Sequence, residues 1–209
     1  MKIKVIGCAI FEWMVAEHEG QFDCTFLEIA QHDEPDKLRI NLQEEINKCE
    51  GYDAIILLYG LCGNAIMDLV SPHCDMYVFR AHDCSAILLG SNEKQLNQRW
   101  SCFSLKKENN LWGATSFKEM EEKYGEHAQY LWDILYGNNE IVYIDFHREE
   151  DEEAKVRLKE KGKKITEYFE GTKEVVDAML SFQAHEMVVQ CKKGQKIKAV
   201  YGDEIIRPI

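Results

Sequence analysis

Residues 53–64, which read DAIILLYGLCGN, decide the fold class of this 209-residue chain. The apolar run from Ala54 to Leu58 is continuous rather than alternating, which is the pattern of a strand that is buried on both faces. Glycines at positions 60 and 63 end the run and place Cys62 in a loop. The sequence therefore predicts a central strand of a parallel sheet, with a cysteine just beyond its carboxyl end.

Strand-like and helical segments alternate on both sides of this central run. Strands are expected over residues 2–7, 24–29, 75–80, 140–146, 165–169 and 186–190, and a hairpin arm or edge strand over 196–206. Helices are expected over residues 11–19, from Asp36 onward, and over 83–90, 116–136, 148–164 and 172–182. This alternation predicts an α/β fold with a doubly wound, mostly parallel sheet and helices on both faces, in a flavodoxin- or Rossmann-like arrangement.

The domain organisation expected from the sequence is one compact α/β domain over residues 1–209. Its first part, residues 1–100, carries the candidate site, and its second part covers residues 114–209. Residues 91–113 lose the periodic pattern and are interpreted as a lid over the site.

Composition excludes several classes of partner. The chain has 37 acidic and 25 basic residues and a net charge of -12, which repels nucleic acid and anionic membrane surfaces. Its apolar runs are far shorter than the ~20 residues that span a bilayer. The first residues lack the pattern of a secretory signal, and the eight cysteines are scattered, so we expect a cytoplasmic protein with reduced thiols.

Three of the cysteines share a position relative to the predicted strands. Cys8 follows the first strand, Cys62 follows the central one, and Cys84 follows the strand over residues 75–80. In the sheet order 2-1-3-4 these three strands are lateral neighbours about 4.8 Å apart. The three thiols are therefore expected to converge at the carboxyl edge, whereas Cys24, Cys49 and Cys102 are expected to be core residues.

Three thiolates on separate loops are suited to a soft metal centre with one open position. Zn²⁺ with a fourth, exchangeable ligand and a cubane iron–sulfur cluster both fit this pattern, and the sequence does not choose between them. His82 and Asp83 stand beside Cys84 and are the candidate catalytic residues for moving protons. Gly60, Gly63 and Asn64 are the candidate cofactor-binding residues, and helices after Gly63 and Asp83 are expected to present their first amides there.

The same residues carry a resemblance to a known family. The motifs are KVIGC at residues 4–8, YGLCGN at 59–64 and RAHDC at 80–84, with similar segments at 120–125 and 201–207. Together they resemble an uncharacterised family of unknown function from methanogenic archaea and anaerobic bacteria. Its members often occur near corrinoid methyltransferase systems, so the resemblance implies a role in methyl or corrinoid metabolism and a corrinoid as a possible cofactor. The family's motif positions in this chain are Cys8, Cys62, His82, Asp83 and Cys84.

Three functional hypotheses remain open from the sequence. The first is a metal- or cluster-dependent enzyme that acts on a small molecule, with a methyltransferase, a corrinoid protein or a second copy of the chain as partner. The second is a non-catalytic protein that binds or delivers a corrinoid or metal. The third is a cofactor-free thiol enzyme that uses Cys62 and Cys84.

Overall fold

A computed structural model describes residues 1–18, 20–28, 31, 34–96, 101–102, 117–135, 140–160 and 164–209. These residues form two compact units. The first consists of Met1–Gln95 and Thr172–Ile209, and the second of Leu96–Gly171. The candidate cysteines all belong to the first unit.

The described chain contains strands and helices in alternation, as the sequence predicts. The strands are β1 (Ile3–Cys8), β2 (Asp23–Leu27), β3 (Ala54–Leu58), β4 (Asp75–Phe79), β5 (Ser101–Cys102), β6 (Glu140–Asp145), β7 (Lys164–Glu170), β8 (Val188–Cys191), β9 (Ile197–Ala199) and β10 (Ile206–Pro208). The helices are α1 (Glu12–Ala16), α2 (Pro35–Asn47), α3 (Cys84–Leu89), α4 (Asn92–Leu96), α5 (Phe117–Tyr124), α6 (Ala128–Leu135), α7 (Glu149–Glu160) and α8 (Glu174–Leu180).

The first unit is built on a mixed, mostly parallel sheet with the order β2-β1-β3-β4-β8. Its first four strands are parallel, and β8 runs antiparallel to β4 at one edge. All five residues of β3 are buried, which confirms the prediction of a central strand. The order of β1 to β4 is the one on which the expected convergence of the three cysteines depends.

Local sequence signals explain the helices that flank this sheet. Helix α2 begins with Pro35 in its first turn and buries Leu38, Leu42 and Ile46, which recur every four residues along one stripe. Helix α3 is capped by the Asp83 side chain and ends at Gly90, whose φ of 64° is the left-handed conformation typical of a helix end. These caps fix the position of Cys84 as the first residue of α3.

The end of the chain returns to the first unit. Helix α8 and strand β8 belong to it, and β9 and β10 form an antiparallel hairpin. The sequence-based division of the chain, near residues 100 and 114, does not predict this return. The reason is that the composition of the chain does not change at Thr172. Whether the two units form the single domain expected from the sequence stays a prediction.

The second unit has a parallel three-stranded sheet with the order β5-β6-β7. Its core contains Ile141, Tyr143, Ala154 and Leu158. The helix predicted over residues 116–136 is divided into α5, a short 3₁₀ turn over Gly125–His127, and α6, since Gly125 adopts a φ of 54°. Most of the predicted lid, residues 97–100 and 103–113, lies outside the described residues.

The helices are short relative to a lipid bilayer. In the part of the chain that the structure describes, none combines the length and the apolar character that crossing a membrane requires.

Candidate functional site

The site lies at the carboxyl edge of the parallel sheet. Cys8 is the last residue of β1, Tyr59 directly follows β3, and Cys84 begins α3 after β4. Gly7 pairs with Leu58, and Leu57 pairs with Val78, so the three strands end at nearly the same level. Residues that follow them are thereby held side by side, as expected for a parallel sheet.

The structure brings the three predicted thiols together. The Sγ atoms of Cys62 and Cys84 are 4.0 Å apart, and the Cys8 thiol also hydrogen-bonds to Cys84. All three are thiols rather than disulfide partners. The convergence inferred from strand order is therefore present in the folded chain.

Two backbone hydrogen bonds hold the loop after β3 against the loop after β4. The Leu61 amide donates to the Ala81 carbonyl at 2.8 Å, and the Cys62 amide donates to the His82 carbonyl at 2.9 Å. This short ladder extends the β3–β4 pairing beyond the strands. It holds the backbones of the two loops that carry Cys62 and Cys84 next to each other.

Gly60 makes this close contact between the loops possible. A Cβ atom at position 60 would lie 2.7–2.8 Å from the backbone atoms of Asp83, well inside van der Waals contact. The structure thus gives Gly60 a packing role beside the thiols. Its predicted role in binding a cofactor stays a prediction.

The turn that presents Cys62 has an unusual backbone. Cys62, Gly63 and Asn64 have φ values of 45°, 65° and 71°, so three consecutive residues are left-handed. This conformation costs an L-residue other than glycine about 1–2 kcal/mol. The helix expected after Gly63 is therefore wrong, and residues 62–68 form turns instead. Strain of this kind concentrates at functional sites, where the surrounding structure enforces it.

Asn64, a predicted cofactor-binding residue, contacts a neighbouring helix through its backbone. Its carbonyl oxygen accepts a hydrogen bond from Arg39 of α2 at 3.1 Å. This contact ties the left-handed turn to the helix packed beside it.

The two predicted catalytic residues lie at the same edge. The His82 amide donates to the Asn92 side chain at 3.0 Å, and its carbonyl accepts from Cys62. Asp83 uses both carboxylate oxygens, since Oδ1 accepts from the Ala86 amide at 3.0 Å and Oδ2 accepts from Gln95 Nε2 at 2.7 Å. Asp83 is thus a helix cap, and its catalytic role stays a prediction.

The surroundings of Cys84 and Tyr59 favour the neutral, protonated forms of these two side chains. Hydrogen bonds with Cys62 and Cys8, and then burial of the sulfur, raise the pKa of the Cys84 thiol well above its usual value. Burial, followed by the charges of Cys8, Cys84 and Cys62, also raises the pKa of Tyr59. A cation that binds to the Cys84 sulfur must displace its proton.

The remaining described cysteines lie elsewhere. Cys49 and Cys191 are buried, and burial raises their pKa values to about 11 and about 12. The expectation that Cys24 is a core residue is wrong, because it lies exposed on β2 at the edge of the sheet. The Cys102 side chain lies outside the described residues.

Sequence reasoning missed Tyr59. The residue is 2% exposed, yet its hydroxyl oxygen has no hydrogen-bond partner among the described residues. In the sequence, Tyr59 directly follows the apolar run of β3 and is easily taken as a further core residue. The only indication of a different role is that a tyrosine replaces the aliphatic residues just before Gly60.

The metal site predicted from the sequence is only partly formed in the structure. Among the described residues, no group of three or more histidine, cysteine, aspartate or glutamate side chains is already arranged to hold a metal ion. The three thiols are neighbours, and a common ligand would require them to adjust.

The fold and the site define a class of protein, namely an α/β protein with three cysteine thiols at the carboxyl edge of its sheet. The chain belongs to the family described as "Protein of unknown function (DUF1638)", whose model matches residues 26–181. This match includes Tyr59, Cys62 and Cys84, whereas Cys8 precedes it. Searches of curated proteins and of solved structures return no significant match.

Proposed function

We propose that the chain is an enzyme that binds a single soft metal ion, with Zn²⁺ as the first choice, through Cys8, Cys62 and Cys84. Its small-molecule substrate would occupy the remaining coordination position. The metal would act there as a Lewis acid or would activate a bound thiol or water.

One observation carries this proposal, namely the separation of 4.0 Å between the Cys62 and Cys84 sulfurs. Two thiolates that share a tetrahedral Zn²⁺ with bonds of about 2.3 Å are separated by about 3.8 Å. The observed distance therefore lies within a few tenths of an ångström of the required one. The adjustment needed at this pair is smaller than an ordinary side-chain fluctuation.

The same distance favours one ion over an iron–sulfur cluster. In a cubane, each cysteine ligates a different iron, so the sulfurs must stand farther apart than two ligands of one ion. A cluster at this site would require the Cys62 and Cys84 sulfurs to move apart from their present separation of 4.0 Å. The cluster remains the alternative that the experiment below distinguishes.

We assign roles to the other predicted site residues from their positions in the fold. His82 would move protons to or from the bound substrate, and Asp83 would position α3 and its first residue, Cys84. Gly60, Gly63 and Asn64 would shape the turn that presents Cys62.

The cellular setting is also part of the proposal. Reduced thiols suit a cytoplasmic enzyme. The family resemblance described above supports methyl or corrinoid one-carbon metabolism, with a methyltransferase, a corrinoid protein or a second copy as partner.

We also infer a flavodoxin-like, doubly wound arrangement for the first unit. The chain passes from β1 outward to β2 and then back across to β3, which creates a switch point between β1 and β3. Ligands of doubly wound sheets bind at such a point, and Cys8 and Cys62 flank it.

A second candidate function is cofactor-free thiol chemistry. The contact between Cys62 and Cys84 favours it, because one thiol can act as nucleophile and the other as its proton acceptor or resolving partner. A non-catalytic binding or delivery protein would use the same ligands as the enzyme and would differ in lacking turnover.

Anaerobic titration with Zn²⁺ and Co²⁺ tests the proposal. We expect about one ion per chain, thiolate-to-cobalt charge-transfer absorption, and release of protons from the thiols. Parallel reconstitution with iron and sulfide should give no stable cluster. Failure to retain either ion would overturn the proposal and leave the thiol enzyme, whose activity survives chelation.

A further inference from the structure

Tyr59 is a buried hydrogen-bond donor whose hydroxyl is not used by the protein around it. Its side chain is enclosed at the carboxyl end of β3, and no described residue pairs with its hydroxyl. Buried polar groups are otherwise almost always hydrogen-bonded, since leaving one unpaired lowers stability. Phenylalanine would fill the same space without this cost, so the hydroxyl requires another explanation.

The position of this hydroxyl provides the explanation. Tyr59 interacts electrostatically with Cys8, Cys62 and Cys84 together, which places it beside the proposed ligand set. It does not hydrogen-bond to any of the three sulfurs. A donor at this position is therefore available to a molecule that binds to the three thiols.

We propose that the Tyr59 hydroxyl donates a hydrogen bond to the substrate, and that the substrate is a small molecule with an acceptor oxygen, such as a carboxylate, beside its metal-binding atom. The inference rests on the proposed function, because the thiols must hold the ion to which the substrate binds. Tyr59 then selects among ligands that the metal alone would not distinguish.

The selection follows from hydrogen-bond chemistry. A metal-bound carboxylate keeps a second oxygen that accepts from a phenol. Metal-bound N-methylimidazole keeps neither an N–H group nor a free acceptor atom, so it can form no hydrogen bond with the Tyr59 hydroxyl. Acetate and N-methylimidazole are therefore a matched pair of probes for the open position.

The test compares Tyr59→Phe with the unmodified protein, each loaded with Co²⁺ and titrated with acetate and with N-methylimidazole. We expect acetate binding to weaken about tenfold, which corresponds to about 1.4 kcal/mol and is typical of one hydrogen bond to a charged acceptor. N-methylimidazole binding and Co²⁺ affinity should stay unchanged. The unfolding midpoint of the metal-free variant should be equal to or higher than that of the unmodified protein.

Tyr77→Phe is the matched control. Tyr77 lies on β4, and its hydroxyl already has a partner, because it accepts a hydrogen bond from Gln190 at 3.0 Å. Removal of this hydroxyl should leave acetate binding unchanged.

Three outcomes would overturn the inference about Tyr59. One is a lower unfolding midpoint for metal-free Tyr59→Phe, which would show that water or protein satisfies the hydroxyl. Another is an equal change, or no change, in the binding of acetate and of N-methylimidazole. The third is weaker Co²⁺ binding, which would mean that Tyr59 donates to a thiolate. Absence of Co²⁺ binding to the unmodified protein would instead refute the proposed function, and this inference with it.

Discussion

Replacing Cys62 with serine should weaken Zn²⁺ or Co²⁺ binding by at least about 100-fold, because changes to residues that merely support metal ligands already cost roughly 10- to 100-fold. A hydroxyl is a harder and less acidic ligand than a thiol and is poorly suited to these metals. Cys8→Ser and Cys84→Ser should have effects of similar size. Competition with a chromophoric chelator measures all three affinities.

Cys49→Ser and Cys191→Ser are the matched controls, because both thiols are buried but lie outside the site. They should lose roughly 1–3 kcal/mol of unfolding free energy, since each buries a polar group in an apolar environment. Their metal affinity should be unchanged. Equal loss of affinity in all five variants would point to unfolding and would contradict a specific three-thiol site.

Replacing Gly60 with alanine should produce the largest loss of stability among single-methyl additions near the site. The added Cβ would collide with the Asp83 backbone, which cannot rotate away as a side chain would. Relief requires the two loops to separate, at a cost of about 3 kcal/mol or more. Because the loops carry Cys62 and Cys84, metal affinity should fall as well. Urea denaturation and chelator competition measure the two effects.

Gly51→Ala provides the comparison for this variant. Gly51 has a φ of 80° and open space where the added methyl group would lie, so alanine there should cost only the left-handed backbone penalty of about 1–2 kcal/mol. Metal binding should be preserved in it. A Gly60→Ala protein as stable as Gly51→Ala would show that the two loops do not depend on close contact.

Much of the sheet could be predicted from the sequence, for a physical reason. The continuous apolar run of β3 has only one favourable environment, which is the middle of a sheet covered on both faces. The edge positions of Cys8, Cys62 and Cys84 then follow from the strand order, which brings the ends of β1, β3 and β4 together.

The details of the site could not be predicted in the same way. The three left-handed residues from Cys62 to Asn64 replace an expected helix, and they depend on contacts such as Arg39 with the Asn64 carbonyl. The role of Gly60 depends on the Asp83 backbone, which is distant in sequence. The missing partner of the Tyr59 hydroxyl is also a tertiary property, since it requires knowing everything that surrounds one oxygen atom.

X-ray absorption spectroscopy of the Zn²⁺-loaded protein tests the central claim most directly. We expect a four-coordinate ion with three sulfur neighbours at about 2.3 Å and one lighter neighbour. Cys62→Ser should lose one of these sulfurs, whereas Cys49→Ser should keep all three. Coordination of the ion by nitrogen and oxygen atoms alone would contradict a metal site formed by Cys8, Cys62 and Cys84. The same set of neighbours in Cys62→Ser and Cys49→Ser would also contradict it.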